Sequence, residues 1–432
     1  MKEIQKKDKL LAKLLPGQKP RPGVVYRPSQ FAVQAGGRVW NTLTQQCLET
    51  ALPQSARAGE GYDDLIRDYM LVPMDKDECR FYEGISAMMR AYNRKPGCFG
   101  YTILPTLGCN ARCVYCYEQG MVQTRMSGET VAQVIRFILD THAEDDVALS
   151  WFGGEPLLCP DIIDTITAAL GEAGLRYHSS MISNGSLITP RIVEKMTGAW
   201  KLGSIQISMD GAERDYVARK RYLSGSDHYR AVIENIRRMA ESGIRVAIRC
   251  NVDFDNWDGV PEMLLDMKEL LPDKRNVQFY FAPLNAVRAG DDEAAMWERI
   301  VSAAPLLEDA GFTPMGWLVR SGPFQIFHCM ADGGSVVIAP DGCLYPCEHC
   351  PPEARFGDIW RGVTDEAARR DFCRADRTRE QCRGCSYLPL CTSFASCPVR
   401  DAHCRAIRDM EVQTFLPRMR PMEGGQDEVT IC

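Results

Sequence analysis

The stretch Tyr101-Thr-Ile-Leu-Pro-Thr-Leu107-Gly108-Cys109-Asn-Ala-Arg-Cys113-Val-Tyr115-Cys116-Tyr117 runs a short apolar, β-rich segment straight into a turn with three cysteines. Tyr101 to Leu107 is the first of six such segments. The others are Val147 to Phe152, Tyr177 to Ser183, Gly203 to Met209, Arg245 to Val252 and Asn276 to Ala282. Helix-length amphipathic stretches separate them: Ser127 to His142, Pro160 to Ala173, Pro190 to Ala199, His228 to Ser242 and Trp257 to Leu271. Ser127 opens the first of these as an N-cap, ahead of the apolar positions Val131, Val134, Ile135 and Ile138. Successive β-α units predict parallel strands with right-handed crossovers and an α/β fold, an open partial (β/α)6 barrel of the TIM type. Ligands of such sheets bind at the carboxyl ends of the strands. The three cysteines follow the first strand and fall at that end.

The 432 residues carry a formal net charge of -6, with 45% hydrophobic and 25% charged residues. That balance suits a large core and argues against nucleic acid as a partner, since phosphate binding needs a concentrated basic surface. The basic opening MKEIQKKDKLLAKLLPGQKP lacks the apolar centre of a secretory signal, and no run of about 18 apolar residues is present. A cytoplasmic protein with no membrane span is expected. The chain has 19 cysteines, three of them between 109 and 116 and ten between 329 and 404. In a reducing compartment such clustering points to metal sites rather than disulfides.

Four segments are expected. Residues 1–97 form a small N-terminal α+β unit, with a hairpin signal where Phe31 to Val33 and Val39 to Thr42 flank Ala35-Gly36-Gly37, and helical patterns over Tyr62 to Met70 and Phe81 to Tyr92. Residues 98–324 are the barrel, 325–410 a cysteine-rich unit and 411–432 a tail. Beyond about residue 325 periodicity fades and Cys, Gly and Pro take over, which predicts a fold stapled by metal. Cys47, Cys79, Cys98, Cys159 and Cys250 read as buried small apolar residues.

Three residues separate Cys109 from Cys113 and two separate Cys113 from Cys116. One loop can thus wrap three thiolates around one cluster. A 4Fe-4S cluster ordinarily takes four cysteines, so three leave one iron open to a small chelating ligand. The competing reading, a zinc site, wants four protein ligands, and no fourth Cys or His lies nearby in sequence.

The segment resembles the radical S-adenosylmethionine (SAM) superfamily in its three-two cysteine spacing and in the aromatic Tyr115 before the last cysteine. The resemblance implies a cluster held by Cys109, Cys113 and Cys116, with SAM chelated to its open iron. It also implies a SAM pocket built from strand ends. Phe152-Gly153-Gly154-Glu155-Pro156 stands where the family has its glycine-rich acidic turn, with Glu155 accepting from the SAM amino group. Ser183-Asn184-Gly185 ends the third strand and Ser208-Met209-Asp210-Gly211 the fourth. Arg219 sits where relatives hold the SAM carboxylate, with Lys220 and Arg221 as competitors, and Asn251 ends the fifth strand, within reach of ribose or adenine.

The later cysteines resemble the SPASM domain of peptide-modifying radical SAM enzymes. Cys329, Gly342 and Cys347 match its opening, and Cys382, Cys385 and Cys391 its two-five run, while Cys397 follows after five residues where the family has three. By the family's interleaved ligation Cys382, Cys385, Cys391 and Cys404 hold one auxiliary 4Fe-4S cluster, and Cys329, Cys347 and Cys397 another. Its fourth ligand is Cys343 or Cys350, or an iron stays open to a substrate thiolate; a pair of zinc sites is the alternative to both clusters. Glu348 follows Cys347 where sulfatase-maturing relatives carry an Asp that serves as base, so a catalytic role for Glu348 is weighed against plain solvation.

The resemblance implies reductive SAM cleavage to a 5'-deoxyadenosyl radical that takes hydrogen from a peptide or protein, with electrons from a donor such as flavodoxin or ferredoxin. The leading expectation is a maturase that forms a thioether or carbon-carbon cross-link in a ribosomally made peptide. Its N-terminal unit, if winged-helix-like, would hold a leader peptide by strand addition. Formylglycine formation on a sulfatase and a non-catalytic iron-sulfur scaffold are the alternatives.

Overall fold

Residues 11, 13–93, 98–143, 146–284, 293–313, 330–331, 333–373, 380–391 and 404–418 are described by the computed structural model. The N-terminal strands are β1 (Val25–Pro28), β2 (Ala32–Ala35), β3 (Arg38–Asn41), β4 (Cys47–Glu49), β5 (Ala56–Arg57) and β6 (Leu71–Pro73). They form two antiparallel three-stranded sheets, β5-β1-β6 and β2-β3-β4. The hairpin at Ala35-Gly36-Gly37 is present, with Ala35 opposite Arg38. Helices cover Asp63–Arg67 and Glu78–Asn93. Strands dominate the described part of this unit.

Six parallel strands follow: β7 (Gly100–Ile103), β8 (Asp146–Trp151), β9 (Arg176–Ser183), β10 (Leu202–Met209), β11 (Arg245–Val252) and β12 (Val277–Pro283). Each pairs with its neighbours in sequence, in the order β12-β11-β10-β9-β8-β7. Ile103 pairs with Trp151, Met209 with Cys250 and Val252 with Pro283, so the carboxyl ends lie level. The helices between them bury one apolar face. Gly128–Thr141 turns Val131, Val134, Phe137 and Ile138 inward, and Ser127 caps it by accepting from the Thr130 N–H at 3.0 Å. The long helix Tyr229–Glu241 buries Val232, Ile233, Ile236 and Met239 in the same spacing.

The sheet does not stop at six strands. β13 (Ser335–Ile338) lies parallel to β7, with Ser335 opposite Gly100 and Ile338 opposite Ile103. β14 (Cys343–Tyr345), β15 (Gly357–Asp358) and β16 (Gly362–Val363) extend it antiparallel to a total of ten. The cysteine-rich unit is therefore joined to the barrel by strand pairing. It is joined to the N-terminal unit as well. Leu388 packs with Leu11, Phe31, Tyr82 and Ile85, and Tyr387, Leu390, Val412 and Leu416 pack with Ala35 and Trp40. Residues from the N-terminal strands and from the cysteine-rich unit thus share a core.

Cys98, Cys159 and Cys250 are buried as expected, but Cys47 is exposed on β4 and Cys79 is half-buried, 2.7 Å from the Arg383 carbonyl. A helix over Glu213–Lys220, not anticipated, follows β10. No helix among the described residues is long and apolar enough to cross a membrane.

Candidate active site

The turn after β7 is pinned from three sides. On one side the glycine-rich turn after β8 lies against it backbone to backbone. The Gly154 N–H donates to the Thr106 carbonyl at 3.1 Å and the Glu155 N–H to the Gly108 carbonyl at 2.9 Å. A Cβ on Gly153, whose φ is +106°, would stand 2.3 Å from the Thr106 oxygen, and one on Gly154 2.4 Å from the Gly108 oxygen. Both positions require glycine because the chain's own cysteine turn fills the space. What approaches these two glycines is the backbone of the cysteine turn.

Glu155 is fully buried. One carboxylate oxygen accepts from Ser183 Oγ at 2.9 Å and the Leu157 N–H at 3.1 Å, and the other from the Asn184 N–H at 2.8 Å. Burial raises its pKa against the pull of these donors. Three of roughly four acceptor positions on a carboxylate are thus taken by the chain, leaving one for an incoming ammonium. On the second side Asn184 continues from β9. Its Nδ2 donates to Asn110 Oδ1 at 2.8 Å and points at Cys109 Sγ, 3.9 Å away.

The third side is the segment after Glu213–Lys220. The Arg112 N–H donates to the Lys220 carbonyl at 3.0 Å, the Val114 N–H to the Arg219 carbonyl at 3.0 Å, and the Leu223 N–H to the Asn110 carbonyl at 2.8 Å. This brings Lys220 inward. Its ammonium lies 3.2 Å from Asp210, with the two side chains 1% and 0% exposed. It donates to Ser208 Oγ at 2.6 Å and to the Tyr115 hydroxyl at 3.0 Å. The Tyr115 hydroxyl donates to Asp210, and Asn251 Nδ2 donates to both Asp210, at 3.0 Å, and Tyr115, at 3.2 Å. Tyr115, Ser208 and Asn251, expected separately as SAM contacts, thus meet in one buried network around a Lys–Asp pair. Burial alone would lower the Lys220 pKa, but Asp210 and its other neighbours raise it well above the ordinary lysine value.

Arg219 does not stand ready for a carboxylate. Its Nη1 and Nη2 grip both oxygens of Asp253 at 3.1 and 2.7 Å. The Arg219 fork, read from sequence as the holder of the SAM carboxylate, is paired with the Asp253 carboxylate here. Arg221, its exposed competitor, caps the helix with a left-handed φ of 49°.

Cys109, Cys113 and Cys116 are half-buried and close enough to influence one another. Burial pushes the Cys109 thiol up to about 12, reinforced by Glu155 and the other two thiols and opposed by the Ala111 N–H. Burial raises Cys113 too, with Lys220 opposing. Thiols so placed favour the proton unless a cation replaces it, and the thiolate is what ligates iron. Among the described residues no three His, Cys, Asp or Glu converge on a point fit for a single ion. A four-iron cluster asks something else, one thiolate at each corner of a cage. Three soft donors on one turn, pinned by backbone on two sides and by Asn184 on a third, fit that requirement.

The cysteine-rich unit reaches this turn. The His349 ring lies against Tyr117, centroids 4.5 Å apart, and Arg249 of β11 donates to Asn251 at 3.0 Å while its charge helps burial lower the His349 pKa. Glu348, half-buried, accepts from Cys347 Sγ at 3.5 Å. Cys347 and Cys350 share a hydrogen bond that, ahead of burial, raises the former and lowers the latter. Cys343 sits elsewhere, among Asp341, Arg355 and Asp358. Cys382, Cys385 and Cys391 follow one another around a tight turn, the Cys385 N–H donating to the Cys382 carbonyl at 3.1 Å. Cys404 begins the helix Cys404–Phe415. Cys329 and Cys397 lie outside the described residues, as does Cys432.

Asp210, Asn110, Tyr117 and His349 are residues that sequence reading left without a role, and Lys220 was weighed only for the SAM carboxylate. Residues 103–267 match the family model described as Radical SAM superfamily. The barrel is a radical SAM domain, and the protein is an enzyme built on it. Over 325 residues the chain is 24% identical to an AdoMet-dependent heme synthase of Methanosarcina barkeri, covering 68% of this chain and 89% of that one. Over 190 residues it is 24% identical to an S-adenosylmethionine-dependent nucleotide dehydratase of a Thermoplasmatales archaeon, covering 44% and 63%. Among solved structures, native anSMEcpe with bound AdoMet has a TM-score of 0.59 at 17% identity over 74% of this chain and 97% of that one. Streptococcus suis SuiB bound to S-adenosylmethionine has a TM-score of 0.51 at 14% identity over 88% and 95%. At such identities the likeness of these two is one of fold. The radical SAM domain accounts for a 4Fe-4S cluster and SAM as its cofactors.

Proposed function

We propose that this radical SAM enzyme is a maturase that takes a hydrogen atom from a ribosomally made peptide and forms a thioether or carbon-carbon cross-link in it. The observation that carries the reading is the Tyr117–His349 contact. It sets Cys347 and Glu348 beside the cysteine turn, so that a substrate held by the cysteine-rich unit would lie at the barrel mouth. Two solved chains of this fold support it, one described as anSMEcpe with AdoMet and Kp18Cys peptide, the other as SuiB bound to precursor peptide SuiA.

When bound, the cluster and SAM supply reductive cleavage of the sulfonium and a 5'-deoxyadenosyl radical. The chain does the rest. Cys109, Cys113 and Cys116 hold the cluster, with Gly153 and Gly154 keeping their turn in place. The free lone pair of Glu155 receives the SAM amino group, and Asn184 and Asn251 take its polar edges. Glu348 accepts the substrate proton, with His349 orienting it. Cys382, Cys385, Cys391 and Cys404 hold a second auxiliary cluster, and a flavodoxin or ferredoxin supplies electrons.

A heme-related substrate is the second reading, favoured by the long alignment with the heme synthase. Anaerobically reconstituted enzyme with SAM and dithionite should form 5'-deoxyadenosine. Incubation with peptides encoded beside its gene should give a product lighter by two hydrogens. No 5'-deoxyadenosine would overturn the enzyme reading, and turnover of a porphyrin but no peptide would overturn the maturase reading.

A further inference from the structure

We infer that the outer face of the ribbon carrying Cys113 is where a small acidic electron-carrier protein docks to reduce the cluster, an inference that rests on the external electron donor proposed above. Residues 110–114 run antiparallel to residues 219–223. Ala111 pairs with Tyr222, the Arg112 N–H donates to the Lys220 and Arg221 carbonyls at 3.0 Å, and the Leu223 N–H donates to the Asn110 carbonyl at 2.8 Å. In such a ribbon successive side chains point to opposite faces. Burial follows that alternation on both strands. Ala111, Lys220 and Tyr222 are buried and Cys113 is half-buried, whereas Arg112, Val114, Arg221 and Leu223 are exposed. The exposed face is therefore one backbone thickness from a cluster ligand, on the side away from the buried Lys220–Asp210 pair.

Charge distinguishes this face. Arg112 Nη1 donates to the Cys109 and Ala111 carbonyls at 2.8 and 2.7 Å, and Arg221 Nε to the Ala218 carbonyl at 3.2 Å. Among the described residues neither guanidinium is paired with a carboxylate. The exposed arginines of the neighbouring helices differ: Arg214 faces Glu262, Arg230 faces Glu213 and Arg237 faces Glu234. Two uncancelled positive charges thus stand over the cluster turn of a chain whose formal net charge is -6. Val114, Leu223 and Val217 lie exposed among them, Leu223 by 62%. Val217 belongs to the helix Glu213–Lys220, and its carbonyl accepts from the Arg221 N–H at 3.3 Å.

Cations set around a small apolar centre suit a transient contact with an acidic protein. Opposite charges steer the encounter, and electron-transfer interfaces are small enough to release their partner. A second copy of this chain fits less well, since a two-fold contact would bring the same cationic patch against itself. At this surface one electron leaves the reduced carrier and enters the bound cluster. The carrier is oxidised, the cluster is reduced, and no bond is made or broken.

The test uses the reconstituted full chain and, as carrier, a fully reduced flavodoxin. Formation of 5'-deoxyadenosine is followed with that carrier and, separately, with dithionite, a small reductant that needs no docking surface. Arg221 and Leu223 hold the ribbon through backbone groups, so Arg221→Glu and Leu223→Glu should keep their iron and their dithionite-driven rate. Each should cut the flavodoxin-driven rate by about 10-fold or more at low salt. Arg221→Gln, milder at the same site, should give a smaller fall. Arg275→Glu, the same charge reversal at the amino end of the last barrel strand, should change neither rate. Calorimetric affinity for oxidised flavodoxin should weaken in parallel in the patch variants, a readout independent of turnover. Shrinking the screening length from about 30 Å to about 3 Å with salt should slow the parent with flavodoxin and narrow its lead over Arg221→Glu. Unchanged flavodoxin-driven rates and affinities in the patch variants would overturn the docking site, as would an equal fall in Arg275→Glu. Loss of peptide product under dithionite would give the face to the substrate instead, and a parent dimer that Leu223→Glu separates would give it to a second copy. No 5'-deoxyadenosine from the parent even with dithionite would remove the enzyme reading, and this inference with it.

Discussion

Lys220 and Asp210 lie 3.2 Å apart with essentially no exposure, directly behind the turn that carries Cys113 and Cys116. Their attraction offsets a large desolvation cost, and removing one partner leaves the other charge stranded. Lys220→Met should therefore destabilise the protein by about 3–5 kcal/mol, measured by denaturant unfolding without iron. Lys220→Met combined with Asp210→Asn should recover part of that loss. Equal stability of the single variant and the parent would show that the pair is not buried as described.

Gly154 touches the Gly108 carbonyl so closely that an added methyl group has nowhere to go. Gly154→Ala should displace the cysteine turn, costing about 1–3 kcal/mol in backbone strain and most of the iron held there. Gly84→Ala is the matched control. That helical glycine has open space around it, and the change should be neutral or stabilising by up to about 1 kcal/mol.

Glu348 sits next to Cys347, with the His349 ring 3.9 Å from its carboxylate. If it takes the substrate proton, Glu348→Gln should cut product formation by about 10²- to 10⁴-fold while 5'-deoxyadenosine continues to form without coupling to product. A parallel fall in both would assign Glu348 to SAM binding or to folding instead.

Asp358 anchors the strands beyond the barrel. It accepts from the N–H groups of Trp360 and Arg361 and from the guanidinium groups of Arg355 and Arg361. Hydrogen bonds from Arg361 hold its pKa at about 2, against an ordinary 3.8. A carboxyl lowered on folding stabilises the fold fully above its unfolded value, and that contribution is lost as pH falls through the folded one. Acid unfolding of Asp358→Asn should therefore be shallower than that of the parent between about pH 4 and pH 2. Superimposable acid transitions would show that Asp358 contributes nothing.

How much of this was legible differs from element to element for physical reasons. The six barrel strands are runs such as Arg245–Val252, buried at six of eight positions, and their composition alone marks them. The helix Glu213–Lys220 reads ERDYVARK, with no apolar stripe, and hydrophobic periodicity passes over it. That helix delivers Lys220 to Asp210, so the network at the centre of the site stayed hidden although Tyr115, Ser208, Lys220 and Asn251 were each named. The pairing of Arg219 with Asp253 was not legible, because Asp253 lies beyond the next strand and sequence spacing says nothing of which carboxylate a guanidinium meets. β13 is only four residues long and pairs with a strand far earlier in the chain, a register that no local pattern records.

The pairing of Ser335–Ile338 with Gly100–Ile103 also bears on how the protein is made. On the ribosome the barrel's first strand is finished early, yet its outer row of N–H and C=O groups has no mate until β13 emerges, long after β12. In that interval the nascent barrel carries an open, apolar edge that invites pairing with other chains. A fragment ending at residue 324 would carry that edge permanently, and the smallest well-behaved piece of this enzyme should extend past Ile338.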